Sequence, residues 1–219
     1  MTKKRASLLL VCVLTFTLLV GCTPKEPEGT IQPKLTIYAY QSEPVIFWDP
    51  SDTFSNEIIV MNNLYEQLIR YDPLKDEYTY LLATDFDVSE DGMVWIFELR
   101  QGVKFHCGED FDASTVKYCV ERTMERGQGA SFIWDPVDEV NVVDDYTVEF
   151  RLKYPAALDM IASAAYTAHM FCPKCTEEKG HDWYVQGNAC GTGPYMLEYW
   201  ERGNEVVLAR FEDYWGGWT

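Results

Sequence analysis

Hydrophobic and polar positions follow two different periods along this chain, and each change of period marks an element. Apolar residues recur at spacings of three and four through Ile58, Met61, Leu64, Tyr65 and Leu68. That spacing predicts an amphipathic helix, capped near Ser55 and ending before Asp72-Pro73. Leu35 to Tyr40 is short and rich in β-formers, which predicts a strand. Phe86 to Ser89 and Val94 to Leu99 flank Glu90-Asp91-Gly92-Met93, the composition of a hairpin turn. Trp95, Phe97 and Leu99 share one face of their strand and are assigned to the core. Gln101-Gly102 turns the chain toward Val103-Lys104-Phe105. Asp112 caps a helix from Ala113 to about Arg126 that buries Val116, Cys119, Val120 and Thr123 and ends at Gly127-Gln128-Gly129. Val137 to Val143 and Tyr146 to Leu152 form a second hairpin, in which Val148, Phe150 and Leu152 alternate with Thr147, Glu149 and Arg151. One of its faces is therefore buried and the other wet. A short helix follows Pro155, over Ala156 to Ala165. Tyr195 to Trp200 and Glu205 to Arg210 make a third hairpin.

The N-terminus follows another logic. Lys3, Lys4 and Arg5 precede an apolar run from Ala6 to Val20. At about 15 residues this is a signal-peptide core, because a bilayer span needs about 20. Leu19-Val20-Gly21-Cys22 resembles the bacterial lipobox. The resemblance implies a lipoprotein signal peptide over residues 1–21 and lipidation of Cys22. Residues 22–34, with Pro24, Pro27 and Pro33, read as a lipidated tether. The expected location is outside the cytoplasm, on the cell membrane, within the periplasmic space where there are two membranes.

A net charge of −17 argues against nucleic acid as a partner, since phosphates demand a basic face. It names no ligand. Of seven cysteines, five lie beyond the lipobox: Cys107, Cys119, Cys172, Cys175 and Cys190. Cys172-Pro173-Lys174-Cys175, His181 and Cys190 form a C-x₂-C-x₅-H-x₈-C series compatible with a four-ligand zinc site. Outside the cytoplasm the same cysteines also suit a disulfide among Cys172, Cys175 and Cys190, or free thiols. Cys107 and Cys119 receive no role, and His106 and His169 read as ordinary turn and loop residues. No G-x-S-x-G, S-x-x-K or H-E-x-x-H run occurs, so a secreted hydrolase lacks its central residues. Asp85 to Ser89 begins like a calcium loop, but Gly92 and Ile96 stand at the wrong positions for one. No catalytic residue, cofactor or enzymatic activity is expected.

Several runs taken in order resemble the family 5 extracellular solute-binding proteins, the dipeptide, oligopeptide and nickel group that serves ABC importers. They are Leu64-Tyr65-Glu66-Gln67-Leu68-Ile69, Leu82-Ala83-Thr84 with Val88 to Gly92, Trp95 to His106, Gly108 to Ala113, Val143 to Val148, Gly191-Thr192-Gly193-Pro194-Tyr195 and Tyr214-Trp215-Gly216-Gly217. The resemblance implies an α/β fold of the type II periplasmic-binding-protein kind, a clamp whose two lobes close on a ligand. It further implies that this chain holds only the first lobe. Residues 35–55 and 168–219 would form its sheet subdomain and 56–167 an inserted mixed subdomain, with the second lobe absent. The implied function is capture of di- or oligopeptides by a monomer for ABC permease subunits. Nickel, metal-chelate or oligosaccharide binding by the same fold, and a peptide-sensing lipoprotein receptor, are the alternatives. By position, Thr53, Phe54 and Ser55 would supply a ligand edge, and Phe132 and Trp134 would line the cleft.

Overall fold

Four antiparallel strands, in the spatial order Ala83–Val88, Val94–Leu99, Thr147–Leu152 and Val137–Asp144, form the largest sheet among the described residues. The computed structural model describes residues 45–46 and 48–218, all within one unit spanning 41–219. The expected signal peptide, Cys22, the expected tether and the expected Leu35 to Tyr40 strand lie outside the described residues. In chain order the elements are α1 (Ile58–Leu64), β1 (Ile69–Asp72), β2 (Glu77–Tyr80), β3 (Ala83–Val88), β4 (Val94–Leu99), α2 (Ala113–Arg126), β5 (Val137–Asp144), β6 (Thr147–Leu152), α3 (Leu158–Ala162), α4 (Pro173–Lys179), α5 (His181–Val185), β7 (Tyr195–Glu201) and β8 (Glu205–Arg210).

Alternation decides which face of the sheet is dry. Trp95, Phe97 and Leu99 on β4 are buried, as are Val148, Phe150 and Leu152 on β6. The register sets Trp95 opposite Phe150 and Phe97 opposite Val148. Helix α2 packs on β5 and β6 with Val116, Cys119, Val120 and Thr123 inward. Its first turn is closed by the Asp112 carboxylate, which accepts from the Thr115 amide at 3.0 Å, so a free donor at the helix start is satisfied. Trp134 stacks on Phe150 with ring centroids 6.2 Å apart.

Helix α1 stops earlier than its apolar spacing predicts. Met61, Leu64, Tyr65 and Leu68 are all fully buried as expected, but the backbone turns extended at Tyr65. The cause is competition for carbonyls. The Leu64 carbonyl accepts from the Gly193 amide at 3.0 Å and that of Glu66 from the Met170 amide at 2.8 Å. Distant strand-like segments thus take the bonds that a longer helix would need. The hairpin β1–β2 and the short helices α4 and α5 have no expectation behind them. Val103-Lys104-Phe105 forms an isolated bridge from Lys104 to Asp110, with Val103 and Phe105 buried in the core. His106 lies in a turn and His169 in a loop, as expected, the first half-buried and the second buried, and burial lowers the pKa of His106 to about 4 and that of His169 to about 3.

The loop before β7 is the tightest joint. Any β-carbon on Gly191 would overlap the Leu64 carbonyl oxygen, and one on Gly193 would lie 2.6 Å from the Asn63 carbonyl oxygen. Beside it the buried Glu66 carboxylate accepts from Thr192 at 2.9 Å, Tyr214 at 2.9 Å and Trp215 at 2.8 Å. Burial raises the Glu66 pKa despite these donors. The β7–β8 hairpin forms as expected, with Tyr195 opposite Arg210. Gly191→Ala is expected to cost about 3 kcal/mol or more, read as a lower urea midpoint. An unchanged midpoint would mean that the contact relaxes freely.

Candidate functional site

Asp49 starts a tight turn, Pro50–Asp52, by accepting from the Ser51 amide at 3.1 Å and the Ser51 hydroxyl at 2.7 Å. Two arginines one turn apart on α2 then grip it. Arg122 donates to both Asp49 oxygens at 2.8 and 2.7 Å, and Arg126 donates to both Asp52 oxygens at 2.9 and 2.6 Å. His181 Nδ1 lies 3.0 Å from Asp49. Asp49 is only 1% exposed. Burial alone would raise its pKa, but the Arg122 hydrogen bonds and charge, helped by His181 and Ser51, hold it well below the usual carboxylate range. Asp49, Asp52 and His181 stand close enough to suggest a cation site. The two guanidiniums already supply the positive charge, so the cluster is a clamp.

The clamp fixes the next residues. Gly129 backs onto the Asp52-Thr53 peptide so closely that a β-carbon would sit 2.5 Å from the Asp52 carbonyl. The Ala130 amide donates to the Thr53 carbonyl at 3.2 Å. The buried Thr53 hydroxyl donates to the Pro50 carbonyl at 3.1 Å and accepts from the Thr167 amide at 3.3 Å. Trp134 Nε1 donates to the Thr167 carbonyl at 2.9 Å. Thr167 itself holds a left-handed φ of 50°, a conformation that costs a threonine energy and persists only where the surroundings impose it.

What this framework exposes is aromatic. Phe54 is 59% exposed, as is Phe132, and their rings meet edge to face at 6.4 Å. Tyr166 flanks Phe54 at 6.3 Å. Of the residues expected at the ligand edge and in the cleft, the structure groups Phe54 and Phe132 on a surface shelf and leaves Ser55 exposed beside it. Thr53 and Trp134 are buried supports beneath. Trp134 therefore lines no cleft: its ring is spent on Phe150 and Thr167. Tyr166 had no periodic or motif signal, since only the fold brings it to Phe54.

The thiols also rearrange the expected ligand set. His181 turns to Asp49 and not to the cysteines, and its place is taken by Cys107, which groups with Cys172, Cys175 and Cys190. All five described cysteines stand as free thiols. Spacing could not reveal Cys107, which lies 65 residues before Cys172.

Residues 77–218 match the model of the bacterial extracellular solute-binding proteins, family 5 Middle. The chain belongs to this family. A glutathione-binding protein GsiB from Salmonella paratyphi A is 33% identical to this family 5 chain over 171 residues, covering 77% of the chain and 32% of that protein. The GsiB of Pectobacterium atrosepticum is 30% identical over the same share. The chain thus spans about a third of the length of the curated relatives it matches. Among solved structures, a dipeptide-binding protein from Pseudoalteromonas sp. SM9913 in complex with Met-Leu aligns at TM-score 0.70 and 26% identity, over 78% of this chain and 39% of that one. NikA from Brucella suis in complex with Fe(III)-EDTA aligns at TM-score 0.67 and 28% identity, over 78% of this chain and 35% of that one. The fold is the type II periplasmic-binding-protein fold expected from the sequence.

Arg122→Met leaves Asp49 buried without its counter-ion and is expected to cost about 3–5 kcal/mol by urea denaturation. Because the folded Asp49 pKa is depressed, its contribution is present above the unfolded value, about 3.9, and is lost as pH falls toward the folded one. Wild-type stability should therefore fall on acidification through that window, and Arg122→Met should fall less. Parallel pH curves would show that the pair does not titrate as described.

Proposed function

We propose that this chain is the first lobe of a clamp that captures short peptides outside the cytoplasm and delivers them to an ABC permease. The observation that carries the reading is the shelf of Phe54, Phe132 and Tyr166 beside an immobilised loop. Exposed aromatics held in a group offer large apolar area at little entropic cost, which suits ligand side chains of varied shape. The backbone and hydroxyl at Ser55 border the shelf, where an extended peptide can pair as an added strand. Relatives named for glutathione and a neighbour holding Met-Leu support short peptides as the substrate class.

The likeness to NikA raises metal chelates as a second reading. The shelf argues against it. His106 and His169 bond Gly193 and Asn62, and His181 bonds Asp49, so none of the three turns an imidazole toward Phe54. Attachment to the membrane is assigned to lipid on Cys22, a reading supported by the resemblance of Leu19-Val20-Gly21-Cys22 to the lipobox. More than one acyl chain gives lasting anchorage.

In a protein of the relatives' full length, Phe54→Ala combined with Tyr166→Ala should weaken binding of apolar dipeptides and tetrapeptides about tenfold, or about 1.4 kcal/mol, by calorimetric titration. Unchanged affinity for every peptide and for glutathione would remove the shelf from the site. For the anchor, Cys22→Ser should move the protein from the membrane to the soluble fraction. Continued membrane retention would exclude lipid at that cysteine.

A further inference from the structure

Four sulfurs from three separate segments converge on one point. Cys107 arrives from the turn before α2, Cys172 and Cys175 from the start of α4, and Cys190 from the stretch leading into Gly191. Every pair of sulfurs lies within 4.8 Å, and Cys107 and Cys172 approach to 3.5 Å. Four thiolates about one zinc at about 2.3 Å form a tetrahedron with an edge of about 3.8 Å. Two disulfides would instead bring sulfurs together in pairs at about 2.0 Å. We propose that Cys107, Cys172, Cys175 and Cys190 form a structural zinc site of four thiolates, independent of the solute site.

The surrounding bonds hold these segments in register. The Cys172 amide donates to the Cys190 carbonyl at 3.1 Å, and the Cys175 amide donates to the Cys172 sulfur at 3.4 Å. The His106 amide donates to the Gly191 carbonyl at 2.9 Å. His106 Nδ1 accepts from the Gly191 amide at 3.3 Å. Lys174 on α4 pairs with Glu109 from the Cys107 turn at 2.5 Å. The cysteines therefore need little rearrangement to close on an ion. Three are buried and Cys107 is exposed, which leaves an entry path on one side.

A divalent ion would displace the thiol protons, so four thiols yield a thiolate complex with no change of oxidation state. With no position left open, the site is structural. It would tie the Cys107 turn, α4 and the Gly191 loop together.

The test uses the 219-residue chain purified reduced and without chelator, with zinc by elemental analysis, free-thiol counts and cobalt(II) titration. One zinc per chain is expected, and cobalt(II) should give thiolate-to-metal charge transfer with the visible bands of tetrahedral coordination. Losing an outer-shell partner costs about 10- to 100-fold in metal affinity, so losing a ligand through Cys107→Ser should raise the zinc Kd more than about tenfold. Cys119→Ser, outside the cluster, should leave one zinc bound. The wild-type cobalt spectrum decides even where a variant folds poorly. Reduced, folded protein that takes up neither ion would overturn the proposal, as would two disulfides among these four cysteines in the protein isolated from its host.

Discussion

The buried pairing of Asp49 with Arg122 is the interaction on which the rest of this structure depends. Moving a carboxylate out of water costs several kcal/mol, and Asp49 is 1% exposed. Only a partner of fixed geometry offsets that cost. Arg122 supplies it with two parallel bonds, and its position is set in turn by α2, whose inner face is locked onto the β3-β4-β6-β5 sheet. The ion pair thus transmits the rigidity of a hydrophobic core to a surface loop. Without it the Asp49 turn would keep only the Arg126–Asp52 pair and the bonds of Thr53 to Ala130 and Thr167 to hold Phe54 in place.

Other joints of the structure follow the same rule, in which a buried polar group collects partners from segments far apart in sequence. Glu66 gathers Thr192, Tyr214 and Trp215. Thr167 accepts strain in its backbone and is held by Thr53 and Trp134. Each satisfies a group that would be costly to leave unpaired in the interior. Together they tie short, irregular stretches of the chain to segments far away in sequence.

Legibility in the sequence divides along the range of the interactions. Helix α2 and the hairpins β3–β4, β5–β6 and β7–β8 are readable because Asp112, the Asp91-Gly92 turn and the alternation at Val148, Phe150 and Leu152 act over a few residues. The early end of α1 is not, since the Gly193 amide that takes the Leu64 carbonyl comes from far along the chain. The site shows the same split. Phe54 and Phe132 could be singled out as aromatic loop residues, but whether Trp134 faces solvent or core, and that Tyr166 joins the shelf, depends on packing. Cysteine spacing pointed to Cys172, Cys175 and Cys190. Only the fold replaces His181 with Cys107 and gives the histidine to Asp49.

The central claim is that a core-anchored ion pair presents an aromatic shelf to a peptide. The most direct test is a crystal structure of the family 5 protein at its relatives' full length with a bound dipeptide. The account predicts peptide side chains against Phe54 and Tyr166, peptide backbone beside Ser55, and Asp49 still paired with Arg122 beneath them. A peptide seated away from this loop, with Phe54, Phe132 and Tyr166 facing open solvent, would contradict it.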